Sequence, residues 1–395
     1  MRHFCTSCDH PPERLFQTVC ACGGMIDVEY RLDRVRLHDS PNPYVRFADL
    51  LPIGTATDLL PADARYTTAR HARQLGGYLG LAHLYLKDET ALPTGTTKDR
   101  MAAVSLAYLW ERGVRAFCTS STGNSSTSYA LAIHAYPEMR LYIFTAESFL
   151  PRVMHADHPQ VVHFCMKGAS FVEASEFSAV YAKRNGLVAE GGFFNPGRRE
   201  GLKLAFLEAA EQINRPIDWY VQAVSSAMGV YGTYKAAGEL QRMGRIDRLP
   251  RTLCVQQTSC APMAQAFSEG ASGILSHHIV SRPQGIAHAI LRGDPSRAYP
   301  YIRRIATESG GDIVAVSDDE IREASRLVAD LEGLKPCFAA SAAVAGLIQK
   351  VRFGAFPKND TVVVNLTGSD RPDVARTAHV RWMRREADDW IEEPI

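Results

Sequence analysis

Short apolar runs alternate with longer amphipathic stretches through most of the chain, and this alternation leaves few folds open. Residues 114–119, 140–146, 161–166, 219–224, 251–256 and 361–366 read as strands. Residues 101–110, 125–135, 175–185, 201–213, 230–243, 319–332 and 339–352 read as helices, with apolar positions at helical spacing. Strands separated by helices of this length pair in parallel, in sheets covered on both faces. The class is therefore α/β. With 395 residues, 46% of them hydrophobic, the chain can fill one large core or two ordinary ones. Two parallel-sheet lobes with a cleft are expected, with ligands beyond the carboxyl ends of the strands.

Composition narrows the partners. Lys and Arg number 44 against 43 Asp and Glu, so no global bias toward a polyanion exists, and nucleic acid is a poor partner. No apolar run approaches the length that spans a bilayer, so a membrane partner is not expected. The first residues, Met-Arg-His-Phe-Cys-Thr, lack a signal-peptide core. Of nine cysteines, Cys118, Cys165, Cys254, Cys260 and Cys337 stand singly in apolar surroundings. That usage fits free thiols in a reducing cytoplasm.

The other four cysteines lie in residues 1–36. Cys5-Thr-Ser-Cys8 and Cys20-Ala-Cys22-Gly-Gly are separated by 11 residues, enough for one hairpin. Four thiolates from two turns suit a tetrahedral structural zinc. The second pair is Cys-x-Cys, His3 and His10 are alternative ligands, and a ribbon that keeps its shape without metal is the competing interpretation. Such a short ribbon cannot bury a core by itself. It carries no dense basic patch and reads as an appendage, not as a nucleic-acid reader.

Residues 86–100 read as a strand end, a Pro93-Thr94-Gly95 turn and a helix start, with Thr96 or Thr97 able to cap. Lys98 falls in the first helical turn. The positive end of the helix dipole favours its neutral form, which an amine needs to attack a carbonyl. Taken by itself, Lys98 is as simply a surface lysine paired with Asp99 or Glu89. Three further loops follow strands. Ser121, Thr122, Gly123, Asn124, Ser125 and Ser126 form a hydroxyl-rich loop at a helix N-terminus, suited to a carboxylate, with Asn124 adding a neutral donor. Ser225, Ser226, Ala227, Met228 and Gly229 form a second such cradle, suited to a phosphate. Thr367 ends the last strand, where a hydroxyl can meet a ring nitrogen. Each loop has a plain structural alternative, a cap cluster or a turn. Together they match pyridoxal phosphate, which needs an amine, a phosphate cup and partners for its ring oxygen and ring nitrogen.

The chain resembles the fold-type II pyridoxal-phosphate enzymes of tryptophan-synthase-β-like architecture, and in particular the threonine synthase and cysteate synthase family. Pro93-Thr94-Gly95-Thr96-Thr97-Lys98-Asp99-Arg100 is similar to that family's lysine motif, usually Pro-Thr-Gly-Ser-Phe-Lys-Asp-Arg. Ser121 to Ser126 resembles its asparagine loop, and Asn195-Pro-Gly-Arg198-Arg-Glu-Gly-Leu-Lys203 its Asn-Pro-x-Arg-x-Glu-Gly-x-Lys segment. Val364-Asn-Leu-Thr367-Gly resembles its final strand, and a Cys-Gly-Gly ribbon occurs in many members.

The resemblance implies roles. Lys98 would bind the cofactor covalently and shuttle the Cα proton. Asn124 would face the ring oxygen, residues 225–229 the phosphate and Thr367 the pyridine nitrogen. A neutral hydroxyl there favours elimination and replacement over transamination. Thr96, Ser121, Thr122, Gly123, Ser125 and Asn195 would bind substrate, and Arg198, Lys203 and Arg100 are cations available to a leaving phosphate or else solvated helix charges. The expected organisation is a ribbon at 1–36, a larger cofactor lobe from 37–100 and 196–395, and a smaller mobile lobe at 101–195, in a cytoplasmic homodimer. Departures also stand out. The phosphate loop keeps only Gly229, the familiar Glu-Gly-x-x-x-Glu-Pro-x-Ser pattern appears as Glu332 to Ala340 with altered residues, and Ser369-Asp370 replaces a His-Gly pair. Residues 193–232 resemble cysteate synthase more closely, and residues 285–320 threonine synthase. The expectation is a paralogue with a changed substrate. It would carry out β- or γ-elimination or replacement on an amino acid bearing a leaving group, most simply a phosphorylated hydroxy-amino acid, with cysteate-synthase-like β-replacement ahead of threonine synthase. A pyridoxal-phosphate-binding protein without replacement activity is the alternative from another class.

Overall fold

The computed structural model describes residues 1–372, 379–387 and 389–393. The strands in chain order begin with β1 (Arg2–Cys5), β2 (Ile26–Glu29), β3 (Ala69–His71) and β4 (His83–Asp88). Then come β5 (Ala116–Ser120), β6 (Arg140–Ala146), β7 (Val161–Met166) and β8 (Val188–Ala189). Next are β9 (Trp219–Ala223), β10 (Arg251–Gln257), β11 (Asp312–Val316) and β12 (Thr361–Leu366), and last β13 (Val380–Glu386) and β14 (Asp389–Glu392). Contacts divide the chain into two compact units, one of residues 1–65, 98–201 and 371–395, the other of residues 66–97 and 202–370.

The second unit holds a sheet of order β11-β10-β9-β12-β4-β3, parallel except for the edge strand β3. Its central strand β12, Thr-Val-Val-Val-Asn-Leu, is buried along its whole length. A β-branched run without polar alternation suits a strand covered on both faces. The helix Phe338–Arg352 covers one face, and its small Ala339, Ala340, Ala342 and Ala343 pack into a core with Val221, Val255, Val362 and Val364. The first unit holds a sheet of order β14-β13-β7-β6-β5-β8, parallel except for β14. Its core is aromatic, with Phe144 stacked on Phe164 at 4.9 Å and Phe177 edge-on to Phe144 at 5.7 Å. The same unit carries the β1–β2 hairpin of the ribbon.

The sequence-derived helices and strands recur within a few residues, and the structure adds elements the sequence reading did not mark, among them the helices Arg73–Leu79, Pro262–Ser268 and Tyr299–Glu308 and the short strands β3 and β8. The stretch 201–213 is two helices, Pro196–Leu202 and Leu204–Gln212, separated at Lys203. Strand β11 escaped notice because Asp312–Val316 is short and half-exposed. Strands β13 and β14 escaped because both are rich in charge and poor in buried apolar residues; on β14, the edge strand, charge guards against stray pairing. The grouping into two compact units follows particular contacts. Residues near 54 join the first unit because Glu111 accepts the N–H groups of Gly54 and Ala56, each at 2.7 Å. The terminal residues join it because β13 pairs with β7.

Among the described residues, no helix is long and apolar enough to cross a membrane. All nine cysteines are free thiols.

One buried ionic group anchors the second unit. Lys87 Nζ lies 2.6 Å from Glu208 Oε2, and both side chains are fully buried. The ammonium also donates to the Thr67 carbonyl at 2.6 Å, while Glu208 accepts the Thr67 N–H at 3.0 Å. Such a pair does little for net stability against a hydrophobic replacement, but breaking one side leaves a bare buried charge. Glu208→Ala should therefore lower the unfolding free energy by about 3–5 kcal/mol, whereas Lys87→Met with Glu208→Leu should cost much less. Urea unfolding of the three proteins checks this.

Candidate functional site

The lysine motif begins where β4 ends. Thr67 Oγ1 donates to Glu89 Oε1 at 2.6 Å, and Thr97 Oγ1 donates to the other oxygen of that carboxylate at 3.0 Å. Thr97 therefore turns its hydroxyl to the buried Glu89. The same turn is strapped to the end of β12. The Thr97 N–H donates to the Thr367 carbonyl at 2.9 Å, Thr96 bridges Gly368, and the Ser369 N–H donates to the Gly95 carbonyl at 2.9 Å. Within this unit the fold thus brings Thr96 and Thr367, 271 positions apart in the numbering, into one hydrogen-bonded ladder.

Lys98 is the next residue along the chain and the first of the helix Lys98–Glu111. Burial, with Arg198 adding positive charge nearby, lowers its pKa to about 8. An appreciable share of the amine is then neutral near pH 7–8, as a carbonyl-attacking lysine requires.

The loop after β5 belongs to the same unit as Lys98. Ser121 Oγ accepts the N–H groups of Gly123 at 3.1 Å and Ser126 at 3.0 Å, and shares a proton with Ser126 Oγ at 2.7 Å. Those two hydroxyls shape the loop. Gly123 has φ of 116°, and a Cβ there would stand 2.7 Å from Arg152 Cβ, so only glycine fits. Asn124 opens the helix Asn124–Ala132, and its Oδ1 accepts a hydrogen bond from Arg371 Nη2. Thr122 and Asn124 are partly exposed. At the end of β5, Ser120 Oγ is buried without a hydrogen-bond partner. An orphaned hydroxyl beside an anion loop is what a ligand oxygen would satisfy.

The Asn195–Lys203 segment is occupied internally. Asn195 Oδ1 accepts the Gly197 N–H at 2.9 Å and its Nδ2 donates to Ser105 Oγ at 3.0 Å. Arg198 pairs with Glu190 at 2.5 Å, donates to Tyr129 Oη at 3.1 Å and Thr119 Oγ1 at 3.2 Å, and reaches Ser125 Oγ at 3.5 Å. In the second unit, Lys203 pairs with Glu239 at 2.8 Å, both side chains buried. Each of these two cations is matched by a buried carboxylate. Arg199 donates to the carbonyls of Phe193 at 2.7 Å and Ile26 at 2.6 Å and pairs with Asp27 at 3.2 Å. Tyr30 Oη donates to Glu200 at 2.6 Å. The segment thus docks the ribbon. Sequence reasoning singled out neither Glu190 nor Glu239, since nothing local marks a carboxylate as the partner of a distant cation. It also passed over Arg371, whose one signal is its place four residues after Thr367.

In the second unit, the loop after β9 leads into the helix Met228–Arg242. Ala227 adopts the left-handed conformation, φ 60° and ψ 27°, and no side chain caps the helix. A left-handed residue before a helical turn forms an N–H-lined concavity, and the first-turn N–H groups lack intrahelical acceptors. A Cβ at Gly229 would lie 2.5 Å from Gln222 Nε2, so a larger residue there would push that amide aside. Gln222 Oε1 in turn accepts Asn365 Nδ2 at 3.1 Å. The left-handed position of this loop falls on Ala227, directly before the first helical residue.

The four ribbon cysteines converge, with all their sulfurs within 4.8 Å of one another. Sulfur separations are 3.4 Å for Cys5–Cys22, 3.4 Å for Cys8–Cys22 and 3.7 Å for Cys8–Cys20. Tetrahedral ligands at about 2.3 Å from zinc stand about 3.8 Å apart, so the set fits that ion. His3 and His10 are not in the cluster. Glu269, His277 and His278 also gather within 4.8 Å. There His278 Nδ1 accepts the Leu275 N–H at 3.0 Å, so Nε2 carries the proton and donates to Glu269 at 2.9 Å. A ligating histidine arranges its nitrogens the other way round, so this trio is a hydrogen-bonded cluster.

A family described as pyridoxal-phosphate dependent enzyme matches residues 62–368. The threonine synthase of Methanocaldococcus jannaschii is 29% identical over 93% of this chain and 92% of its own. The cysteate synthase of Methanosarcina acetivorans is 26% identical over 92% of this chain and 90% of its own. Maize serine racemase superposes with a TM-score of 0.63 at 18% identity, covering 78% of this chain and 88% of its own, which shows a shared fold. The chain therefore belongs to the pyridoxal-phosphate dependent enzyme family, related to threonine synthase and cysteate synthase.

Proposed function

We propose that this enzyme replaces or eliminates a leaving group on the β carbon of a phosphorylated hydroxy-amino acid, as a cytoplasmic homodimer. The observation that carries the reading is Lys98, a partly buried amine at a helix start with its pKa lowered to about 8. The residues of each unit, taken by itself, suit a part of pyridoxal phosphate. The uncapped concavity at 225–229 offers N–H groups to the phosphate, Asn124 offers a donor to the ring oxygen, and Thr367 offers a hydroxyl to the ring nitrogen. When bound, the cofactor supplies an electron sink for negative charge at the substrate Cα. The chain does the rest. Lys98 Nζ takes the Cα proton and later returns one. The 121–126 loop orients the substrate carboxylate through its backbone N–H groups, and the orphaned Ser120 hydroxyl is a further donor there. A neutral hydroxyl partner for the ring nitrogen supports elimination and replacement over transamination.

The preference for β-replacement rests on the cysteate-synthase-like character of residues 193–232. Threonine synthase activity is the second reading, favoured by the M. jannaschii relative. Phosphate release separates them. O-phosphoserine should release phosphate at least ~10-fold faster than O-phosphohomoserine, a difference of about 1.4 kcal/mol in barrier. The reverse ratio assigns the threonine synthase reaction, and release from neither removes both.

Lys98→Ala should abolish the visible absorbance band of the covalently bound cofactor. In the wild-type apoprotein, the rate of cofactor capture should rise with pH around a midpoint near 8, where the Lys98 ammonium loses its proton. A midpoint near that of free lysine would show that burial does not tune this amine. We also propose that Cys5, Cys8, Cys20 and Cys22 hold a structural zinc. Elemental analysis should then find about one zinc per chain, lost on Cys5→Ser together with Cys22→Ser while the cofactor band persists.

A further inference from the structure

Asn124 is the residue whose amide would meet the ring oxygen of the cofactor, and Arg371 is the residue that holds that amide. An asparagine side chain can turn either its oxygen or its nitrogen toward a neighbour. A guanidinium has donors and no acceptor, so the atom facing Arg371 Nη2 must be Oδ1. The two hydrogens of Asn124 Nδ2 then point to the opposite side. Backbone geometry limits the alternatives further. Asn124 is the first residue of its helix, directly after Gly123, which Arg152 confines from below. Arg371 is partly buried and lies in the same compact unit as Asn124, so no movement between units is needed to keep the contact.

We infer that Arg371 is a positioning residue for the cofactor. It fixes Asn124 as a pure donor, so that only an acceptor, the deprotonated ring oxygen, is bound there. A positive charge on Oδ1 also polarises the amide and strengthens the Nδ2–H donor. A proton on the ring oxygen would face two other protons and is disfavoured. This inference rests on the proposed role of Asn124 and adds to it a residue outside the matched family region of 62–368.

The test uses the purified apoprotein of the full chain and pyridoxal 5'-phosphate as probe. Arg371→Met removes the donors and keeps most of the volume, and Arg371→Lys retains a cationic donor. For Arg371→Met the dissociation constant for the cofactor should rise roughly 10-fold or more, the scale of one charge-assisted hydrogen bond. The pH midpoint of the bound-cofactor absorbance should also move upward, and Arg371→Lys should recover part of both changes. The decisive arm is the Asn124→Ala background, in which Arg371→Met should add nothing. Additive losses there, or an unchanged absorbance titration in Arg371→Met, would overturn the inference. If the wild-type protein itself forms no covalent cofactor band, the proposed function fails first. If the wild type forms the band and Arg371→Met matches it, only the role of Arg371 fails.

Discussion

The buried Lys87–Glu208 ion pair is the constraint on which the lysine motif depends. Two charges without solvent must find complete hydrogen bonding, and here they do so through Thr67, Glu89 and Thr97. That chain of contacts starts inside β4 and ends on the residue before Lys98. Because an incomplete network costs several kcal/mol, the turn at 95–97 has little conformational freedom. Strapping of residues 95–97 to 367–369 adds a second restraint from β12. Residues 95–97 are thus held by a rigid strand pair and not by a free loop, which is the arrangement that precise chemistry favours.

The loops at 121–126 and 225–229 are shaped by different local means. In the loop at 121–126 the hydroxyls of Ser121 and Ser126 close the turn, and Gly123 lets the chain pass Arg152. In the loop at 225–229 a left-handed alanine opens the concavity and the helix is left uncapped. A non-glycine residue at positive φ costs on the order of 1 kcal/mol, and an uncapped helix N-terminus gives up a comparable amount. Both are local costs borne at a place where bound phosphate would return them. Strain of this kind marks a binding loop better than its composition does.

The cations of the Asn195–Lys203 segment show how misleading charge can be without its surroundings. Arg198 and Lys203 resemble phosphate ligands by motif, yet each is neutralised by a buried carboxylate of its own unit. Arg199 and Glu200, which the motif leaves in the background, tie the ribbon to the first unit through Ile26, Asp27 and Tyr30. The ribbon is therefore an integral part of that unit's structure, consistent with a hairpin too small to bury its own core.

The sequence by itself determined the α/β class and the parallel strand–helix alternation, and it singled out Lys98, the loops at 121–126 and 225–229 and the cysteine quartet as candidates. These are local signals, carried by spacing, turn residues and apolar period, so they survive without a fold. It could not show that β13 extends the first unit's sheet, because a largely exposed strand rich in arginine lacks the apolar pattern of a buried one. Nor could it show which carboxylate meets which cation, that Ala227 is left-handed, or that Arg371 sets the amide of Asn124, 247 positions earlier. Those facts depend on which side chains the folded core excludes from water and brings within hydrogen-bond reach. Only the tertiary structure decides that, because burial is what makes an unpaired charge or amide costly enough to choose its partner.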